Sequence, residues 1–347
     1  MDSHKKVKNI FFKINFNEKI GLGHLLRMLI LAKKINTKKK VFFIVDKISS
    51  QISRNELFKN IVFIELYKND SYINYKIDIQ KVLKIKKKSK IDILICDDYR
   101  CNEDWQKKIK QHIEKLIIFN DFFPKKTYAD LFINFKHLGQ KKIYNELKKN
   151  NKDTKFLLGR KYILLNQNLS RNIKKKKQIL ISFGNSFNFN LIKKLLIFLI
   201  KTIDKNYKIL ICVSSFGKNY EYLFKISKAY KNLILIKDSL SITKYLNNSS
   251  LIIGSAGTSI YEAAYLNIPG IFFNIAKNQK NSQDDLLEIG KLIYFEKLPS
   301  KIDDYKKIYH IIELFNKKKN RVNKIFKNKF KIDKSGVLRV LKEIKIS

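Results

Sequence analysis

Ile10-Phe11-Phe12-Lys13-Ile14 precedes Gly21-Leu22-Gly23-His24-Leu25-Leu26-Arg27, and the second stretch opens a helix-like run from Leu25 to Ile35. Two glycines and a histidine therefore sit where a first strand hands over to a first helix. In open α/β sheets, ligands bind in the crevice at the carboxyl ends of the strands. Gly21 and Gly23 let the backbone approach a ligand closely. An imidazole at that helix start suits proton transfer near neutral pH, so His24 is a candidate general base. Arg27 follows about one turn later on roughly the same face, where its guanidinium can hold a carboxylate or phosphate. A Walker-type phosphate loop is excluded because its Gly-Lys-Ser/Thr ending is missing. A dinucleotide fingerprint lacks its third glycine and a suitable acid after the second strand.

Working outward, apolar runs alternate with helix-like runs. In the first half they are Ile10–Phe16, Val41–Val45, Ile61–Leu66, Ile91–Cys96, Leu116–Phe119 and Leu131–Asn134. Several are unbroken in Val, Ile, Leu and Phe, as strands buried on both faces of a parallel sheet are. A polar run ending in four lysines interrupts the pattern around Asn166–Gln178. A second series follows: Ile179–Phe183, Ile209–Val213, Leu233–Ile236, Leu251–Ile253 and Ile271–Phe273. The expectation is two doubly wound α/β domains with a cleft between them, 1–168 and 178–347. Amphipathic helices over Asp303–Ser347, the last opened by Gly336, are counted with the second domain.

A second candidate site lies in that domain. The strand Leu251-Ile252-Ile253 ends in Gly254-Ser255-Ala256-Gly257-Thr258-Ser259, and a helix then begins. Free amides at a helix start favour an anion. Thr258 and Ser259 add hydroxyls, and Glu262, one turn in, can accept hydrogen bonds from a vicinal diol. Asn278 and Gln279, after the next strand, offer amides to sugar hydroxyls. In the first domain, Asp97 and Tyr99 end the strand Ile91–Cys96. Asp97 can orient the imidazole or bind substrate hydroxyls, and Asn120–Asp121 is a similar strand end. The plainer alternatives are a tight turn with a surface histidine, ordinary helix capping with a solvated glutamate, and a helix N-cap at Asp97.

The chain has 347 residues, 45% of them hydrophobic, enough for two real cores, and a formal net charge of +43. Such a charge would normally point to a polyanion. Only seven of the 73 basic residues are arginines, however, and the chain is rich in Ile, Asn, Phe and Tyr. That is the imprint of an AT-rich coding bias rather than of arginine-based nucleic-acid recognition. We expect no nucleic-acid partner, although the charge should attract an anionic substrate. Three cysteines cannot all pair and show no metal spacing; Cys96 and Cys212 read as buried thiols. No residues have metal-ligand spacing, so no metal and no cofactor are expected. The N-terminus lacks an apolar signal region, and Leu195–Ile203 is too short to span a bilayer. The expectation is a cytoplasmic protein with no membrane insertion.

Taken together, these pieces resemble the UDP-sugar hydrolases of pseudaminic acid biosynthesis, which release UDP from UDP-2,4-diacetamido-2,4,6-trideoxy-β-L-altropyranose. Spore-coat polysaccharide proteins and, more distantly, the UDP-GlcNAc transferase that makes lipid II are relatives of that family. The resemblance runs in order from about residue 8 to about residue 297. It rests on Gly21-Leu22-Gly23-His24-Leu25-Leu26-Arg27, on Asp97-Asp98-Tyr99, on Gly159-Arg160-Lys161-Tyr162-Ile163-Leu164-Leu165, on Gly257 to Glu262, and on Asn278–Gln279. Two positions depart from the family. Asn166 stands where an Arg is usual, and Gly184-Asn185-Ser186 has one glycine and no acid in a loop that often approaches the diphosphate. The resemblance implies a GT-B-type fold of two Rossmann-like domains, with UDP on the C-terminal domain and the sugar facing the N-terminal loops. It implies a metal-independent hydrolase with His24 as base and Asp97 and Tyr99 beside it. Gly21, Gly23, Arg27, Gly257, Thr258, Ser259, Glu262, Asn278 and Gln279 would bind substrate. Flagellin glycosylation or a surface polysaccharide would be the downstream use. A glycosyltransferase of the same fold and a non-catalytic nucleotide-sugar-binding protein are the alternatives.

Overall fold

The computed structural model describes residues 9–16, 22–35, 41–67, 74–136, 141–184, 189–213, 220–237, 239–282, 292–295, 299, 301–317 and 332–344. Gly21 and the pair Asn185-Ser186, singled out above, lie outside these residues.

Two parallel sheets carry the fold. The first takes seven strands: β1 Ile10–Ile14, β2 Val41–Val45, β3 Ile61–Glu65, β4 Ile93–Asp97, β5 Lys115–Phe119, β6 Leu131–Asn134 and β7 Lys155–Leu158. Their order across the sheet is β3-β2-β1-β4-β5-β6-β7. The second sheet takes β8 Gln178–Ser182, β9 Lys208–Val213, β10 Leu233–Lys237, β11 Leu251–Ser255, β12 Gly270–Phe273 and β13 Leu292–Phe295, in the order β10-β9-β8-β11-β12-β13. Every pairing is parallel; Ile14 lies beside Asp97 in the first sheet and Gly254 beside Ser182 in the second. Each order reverses once, between β1 and β4 and between β8 and β11. The carboxyl ends of those strand pairs are where such sheets bind ligands. All eleven expected strands are present. β7 and β13 were not expected.

The apolar runs are buried on both faces, as anticipated for parallel strands. On one face of the first sheet Phe11, Leu94, Cys96, Leu116, Ile118 and Phe132 form a core with Trp105 and Ile109 of helix Glu103–Lys110. Their strand neighbours Phe12, Ile95 and Ile117, of opposite parity, are buried too. The second sheet packs Ile181, Ile211 and Ile253 against Leu195 and Leu199 of helix Phe189–Thr202. Cys96 and Cys101 are buried, whereas Cys212 is only half-buried.

Contacts divide the chain into two compact units, and the division corrects the expected end of the second. Helix Gly336–Ile344, opened by Gly336 as anticipated, belongs with the first sheet rather than with residues 165–334. It packs on the turn Arg160–Tyr162: Arg339 Nη1 donates to the Lys161 carbonyl at 2.8 Å, and Lys115 Nζ to the Ile344 carbonyl at 2.9 Å. A side chain at Gly336 would collide with the Ile163 carbonyl, so this contact requires glycine. Among the described residues no helix is long and apolar enough to cross a membrane.

Candidate active site

Helix Gly23–Ala32 starts just after β1 and carries His24 and Arg27. Both are buried, on the helix side that meets the carboxyl end of β4. His24 Nδ1 lies 2.6 Å from Asp97 Oδ1. Arg27 grips the same carboxylate with Nε and Nη2, and its Nη1 donates to Asp121 Oδ1 at 3.0 Å. Asp121, just past β5, also accepts from the Tyr99 hydroxyl at 2.5 Å and from Lys136 Nζ at 2.8 Å. The Tyr99 ring stands edge-on to the imidazole, with centroids 4.9 Å apart. Phe135 lies 5.3 Å from the Arg27 guanidinium carbon.

The charges fix the tautomer. Burial alone would raise the Asp97 carboxyl, but Arg27 and His24 outweigh it and hold it below the ordinary carboxylate value. Burial also opposes ionisation of Asp121; Arg27 and Lys136 overcome it and hold that carboxyl well down. Both acids are therefore anionic at neutral pH. A carboxylate oxygen 2.6 Å from a bare ring nitrogen would place two lone pairs face to face. In the neutral imidazole the proton therefore sits on Nδ1 and the lone pair on Nε2. The tyrosine is different: burial, and then Asp121, push its hydroxyl far above its usual value. Tyr99 donates its proton to Asp121 and does not exchange it with substrate. Arg27, expected to take a substrate anion, is spent on Asp97 and Asp121, the buried acids it neutralises.

Asp121 was weighed only as a strand end, and Lys136 was missed. Lys136 is one lysine among many, and nothing near it in sequence marks it as buried. Asn15 was missed too. It continues β1, its amide donates to the Asp97 carbonyl at 3.3 Å, and its buried side-chain oxygen has no hydrogen-bond partner among the described residues.

The second candidate site begins at the end of β11. Gly254 runs so close to β8 that a side chain there would strike the Ser182 carbonyl. Thr258 caps helix Ser259–Leu266 without a side-chain hydrogen bond. Among the described residues the amides of Thr258 and Ser259 have no acceptor, the state in which a helix start attracts an anion. Gly257 leaves space, since a side chain there would meet only Ser255 Oγ at 4.0 Å. The Ser259 hydroxyl is turned back onto the Ser255 carbonyl at 3.2 Å. Glu262 is half-buried with no hydrogen bond or ion pair among the described residues, and burial pushes its carboxyl up to about 7. An acid left without a cation in so lysine-rich a chain is set to accept hydrogen bonds from a neutral donor. Asn278 is half-buried. Gln279 is buried, and its side-chain oxygen accepts from the Ile275 amide at 2.9 Å. Gln279 thus shapes its loop, a role the sequence did not suggest. Among the described residues no group of His, Cys, Asp and Glu is arranged to hold a metal ion.

No family model matches the chain. An uncharacterized protein of Methanocaldococcus jannaschii is 29% identical over 292 residues; the match covers 78% of this chain and 56% of that protein, so the chain spans little more than half of it. The UDP-2,4-diacetamido-2,4,6-trideoxy-β-L-altropyranose hydrolase of Campylobacter jejuni is 24% identical over 281 residues, covering 81% of this chain and 97% of the hydrolase. Among solved structures, Staphylococcus aureus MnaA with UDP superposes with a TM-score of 0.66 at 13% identity, covering 98% of this chain and 96% of that one. MurG of Acinetobacter baumannii superposes at 0.60 with 12% identity, covering 98% of this chain and all of that one. The fold is of the GT-B type, two Rossmann-like α/β units.

Proposed function

We propose that this chain processes a UDP-sugar, and specifically that it is a hydrolase releasing UDP from a UDP-linked 2,4-diacetamido-2,4,6-trideoxy sugar, a step of pseudaminic acid biosynthesis. The observation that carries the reading is the 2.6 Å contact of His24 Nδ1 with Asp97. It leaves Nε2 as a base at the carboxyl end of β1. The Campylobacter jejuni hydrolase, similar over most of its length, supports the choice of reaction.

In this reading Nε2 removes a proton from water as the water oxygen attacks the anomeric carbon. The bond from that carbon to the diphosphate oxygen breaks, and UDP leaves with the electron pair from the opposite face, inverting the centre. Asp97 stays ionised and stabilises the imidazolium that forms. A positioned base of this kind contributes roughly 10²–10⁴-fold. The amides of Thr258 and Ser259 offset charge on the departing diphosphate. Glu262 accepts the ribose hydroxyls. Gly23 leaves room for the sugar, and Asn278 contacts it. No metal and no cofactor enter the reaction.

The test is to incubate the protein with UDP-2,4-diacetamido-2,4,6-trideoxy-β-L-altropyranose without any acceptor, following UDP release and the anomeric configuration of the free sugar. His24→Ala runs alongside. Release with inversion that the variant lacks is the expected result. No release from a protein that still binds UDP would overturn the hydrolase and direct the search to acceptors, as for a transferase.

A further inference from the structure

The reading above uses His24 and Asp97 but leaves the Asp121–Lys136 pair without a task. Strand order sets four carboxyl ends side by side, β1-β4-β5-β6, and each sends side chains to one cluster. His24 and Arg27 come from the helix after β1, Asp97 and Tyr99 from the end of β4, Asp121 from the end of β5, and Lys136 from just beyond β6. Asp121 is the hub: Arg27 Nη1, the Tyr99 hydroxyl and Lys136 Nζ all donate to it, at 3.0, 2.5 and 2.8 Å.

We propose that Asp121, held by Lys136, is a positioning residue that fixes the Arg27 guanidinium against Asp97 and so preserves the base. Arg27 Nη2 lies only 3.1 Å from His24 Nδ1. A guanidinium only donates, so Nη2 competes with the Asp97 carboxylate for Nδ1, and the carboxylate, at 2.6 Å, is the nearer partner. Anchoring Nη1 on Asp121 fixes the guanidinium plane, so that Nε and Nη2 face the Asp97 carboxylate. Without that anchor the guanidinium can pivot. Nη2 would then donate to a deprotonated Nδ1, the ring proton would move to Nε2, and the lone pair that takes the water proton would be lost. Tyr99, tied to the same carboxylate, closes the other side of the ring. Two cations, Arg27 and Lys136, balance two anions, Asp97 and Asp121.

The role as base rests on the hydrolase reading, whereas the tautomer can be measured without it. Long-range ¹H–¹⁵N NMR of the imidazole nitrogens in the full chain, with His24 assigned by its loss in His24→Gln, reads tautomer and titration directly. Among the described residues the ring is faced by Asp97, Arg27 and Tyr99, with Asp121 behind them and Lys136 on Asp121, so the two variants should act with opposite sign. Asp121→Asn should populate the Nε2–H form and move the His24 titration down by about one pH unit; Lys136→Met should keep Nδ1–H and move it up by about as much. In the UDP-release assay Asp121→Asn should lower kcat about 100-fold with KM within about threefold, and Asp121→Glu should recover part of the loss. A folded Asp121→Asn with unchanged tautomer and titration would overturn the proposal. Should that variant not fold, an unmoved titration in Lys136→Met would do so. If the wild-type chain releases no UDP, the hydrolase reading falls and the NMR result still decides this one.

Discussion

Asp97→Asn keeps the size of the side chain at the end of β4 and removes its charge. Arg27, with donors only, draws the new amide oxygen, and the amide NH₂ turns to His24 Nδ1. The ring then carries its proton on Nε2, the wrong place for a base. We expect kcat for UDP release to fall about 10²–10⁴-fold while calorimetric UDP affinity stays unchanged. Because the two residues act as a unit, adding His24→Ala should cost little more; losses that multiply would argue for separate roles. Glu262 makes a second prediction at this scale. Its carboxyl lies at about 7 in the free protein, raised by burial. Ribose hydroxyls donating to it would favour the anion. UDP affinity should then rise with pH up to about 7 and level off above, with proton release measurable by calorimetry in buffers of different ionisation enthalpy. Glu262→Gln should weaken UDP by about tenfold and remove the pH dependence. A pH-independent wild-type affinity would take the ribose away from Glu262. The sequence displayed these two residues, with Arg27 and Tyr99, because each stands in a short pattern beside a strand end. It hid Asp121 and Lys136, whose importance comes from meeting each other in space.

Asp97, which ends β4, and the three residues after it divide between two clusters. Asp97 and Tyr99 join the His24 cluster. Asp98 and Arg100 join a second buried network: Lys13 Nζ lies 2.7 Å from Asp98 and 3.1 Å from Asp78, while Arg100 pairs with both Asp98 and Asp46. Successive residues at and past one strand end thus alternate between the two networks, so that the second backs the first. Lys13, in the middle of β1, interrupts an otherwise apolar run, and in so lysine-rich a chain it passed as noise. Lys13→Met would leave Asp78 buried without its cation and Asp98 with Arg100 alone. Removing one partner of a buried pair costs about 3–5 kcal/mol. The only tryptophan, Trp105, donates Nε1 to Asp78 at 2.7 Å and so reports on this network. Its fluorescence in urea should show the loss as a lower midpoint, and an unchanged midpoint would show the lysine to be dispensable. At this scale the sequence was most legible where strands are long and unbroken. β7 begins with a lysine and spans a single short turn of sheet, too little for a pattern to show.

Across the whole molecule the buried acids differ in sign between the two units. In the first, Asp97, Asp98 and Asp121 all lie below the ordinary carboxylate range, because nearby Arg and Lys side chains outweigh burial. Their contribution to stability is present above that range and is lost as pH falls through their folded values. In the second, Glu262 is raised, so its contribution is present below its ordinary value and is lost as pH rises through about 7. No local signal in the sequence could have assigned these groups, just as none announced that helix Gly336–Ile344 returns to the first sheet across some 170 residues. Packing at Ile163, where a side chain on residue 336 has no room, and the bonds of Arg339 and Lys115 specify that return. Hydrogen exchange resolved by strand, corrected for the intrinsic pH dependence, can separate the units. From pH 8 to 5, strands β8–β13 should gain about 1–2 kcal/mol of protection, less than the full shift because Glu262 retains some water, while β1–β7 stay level. From pH 5 to 3, β1–β7 should begin to lose protection as the unfolded chain takes up protons on these carboxylates. Glu262→Gln should abolish the first change and leave the second intact. Units that moved together at both steps, or a first change that survived Glu262→Gln, would refute this division of charge.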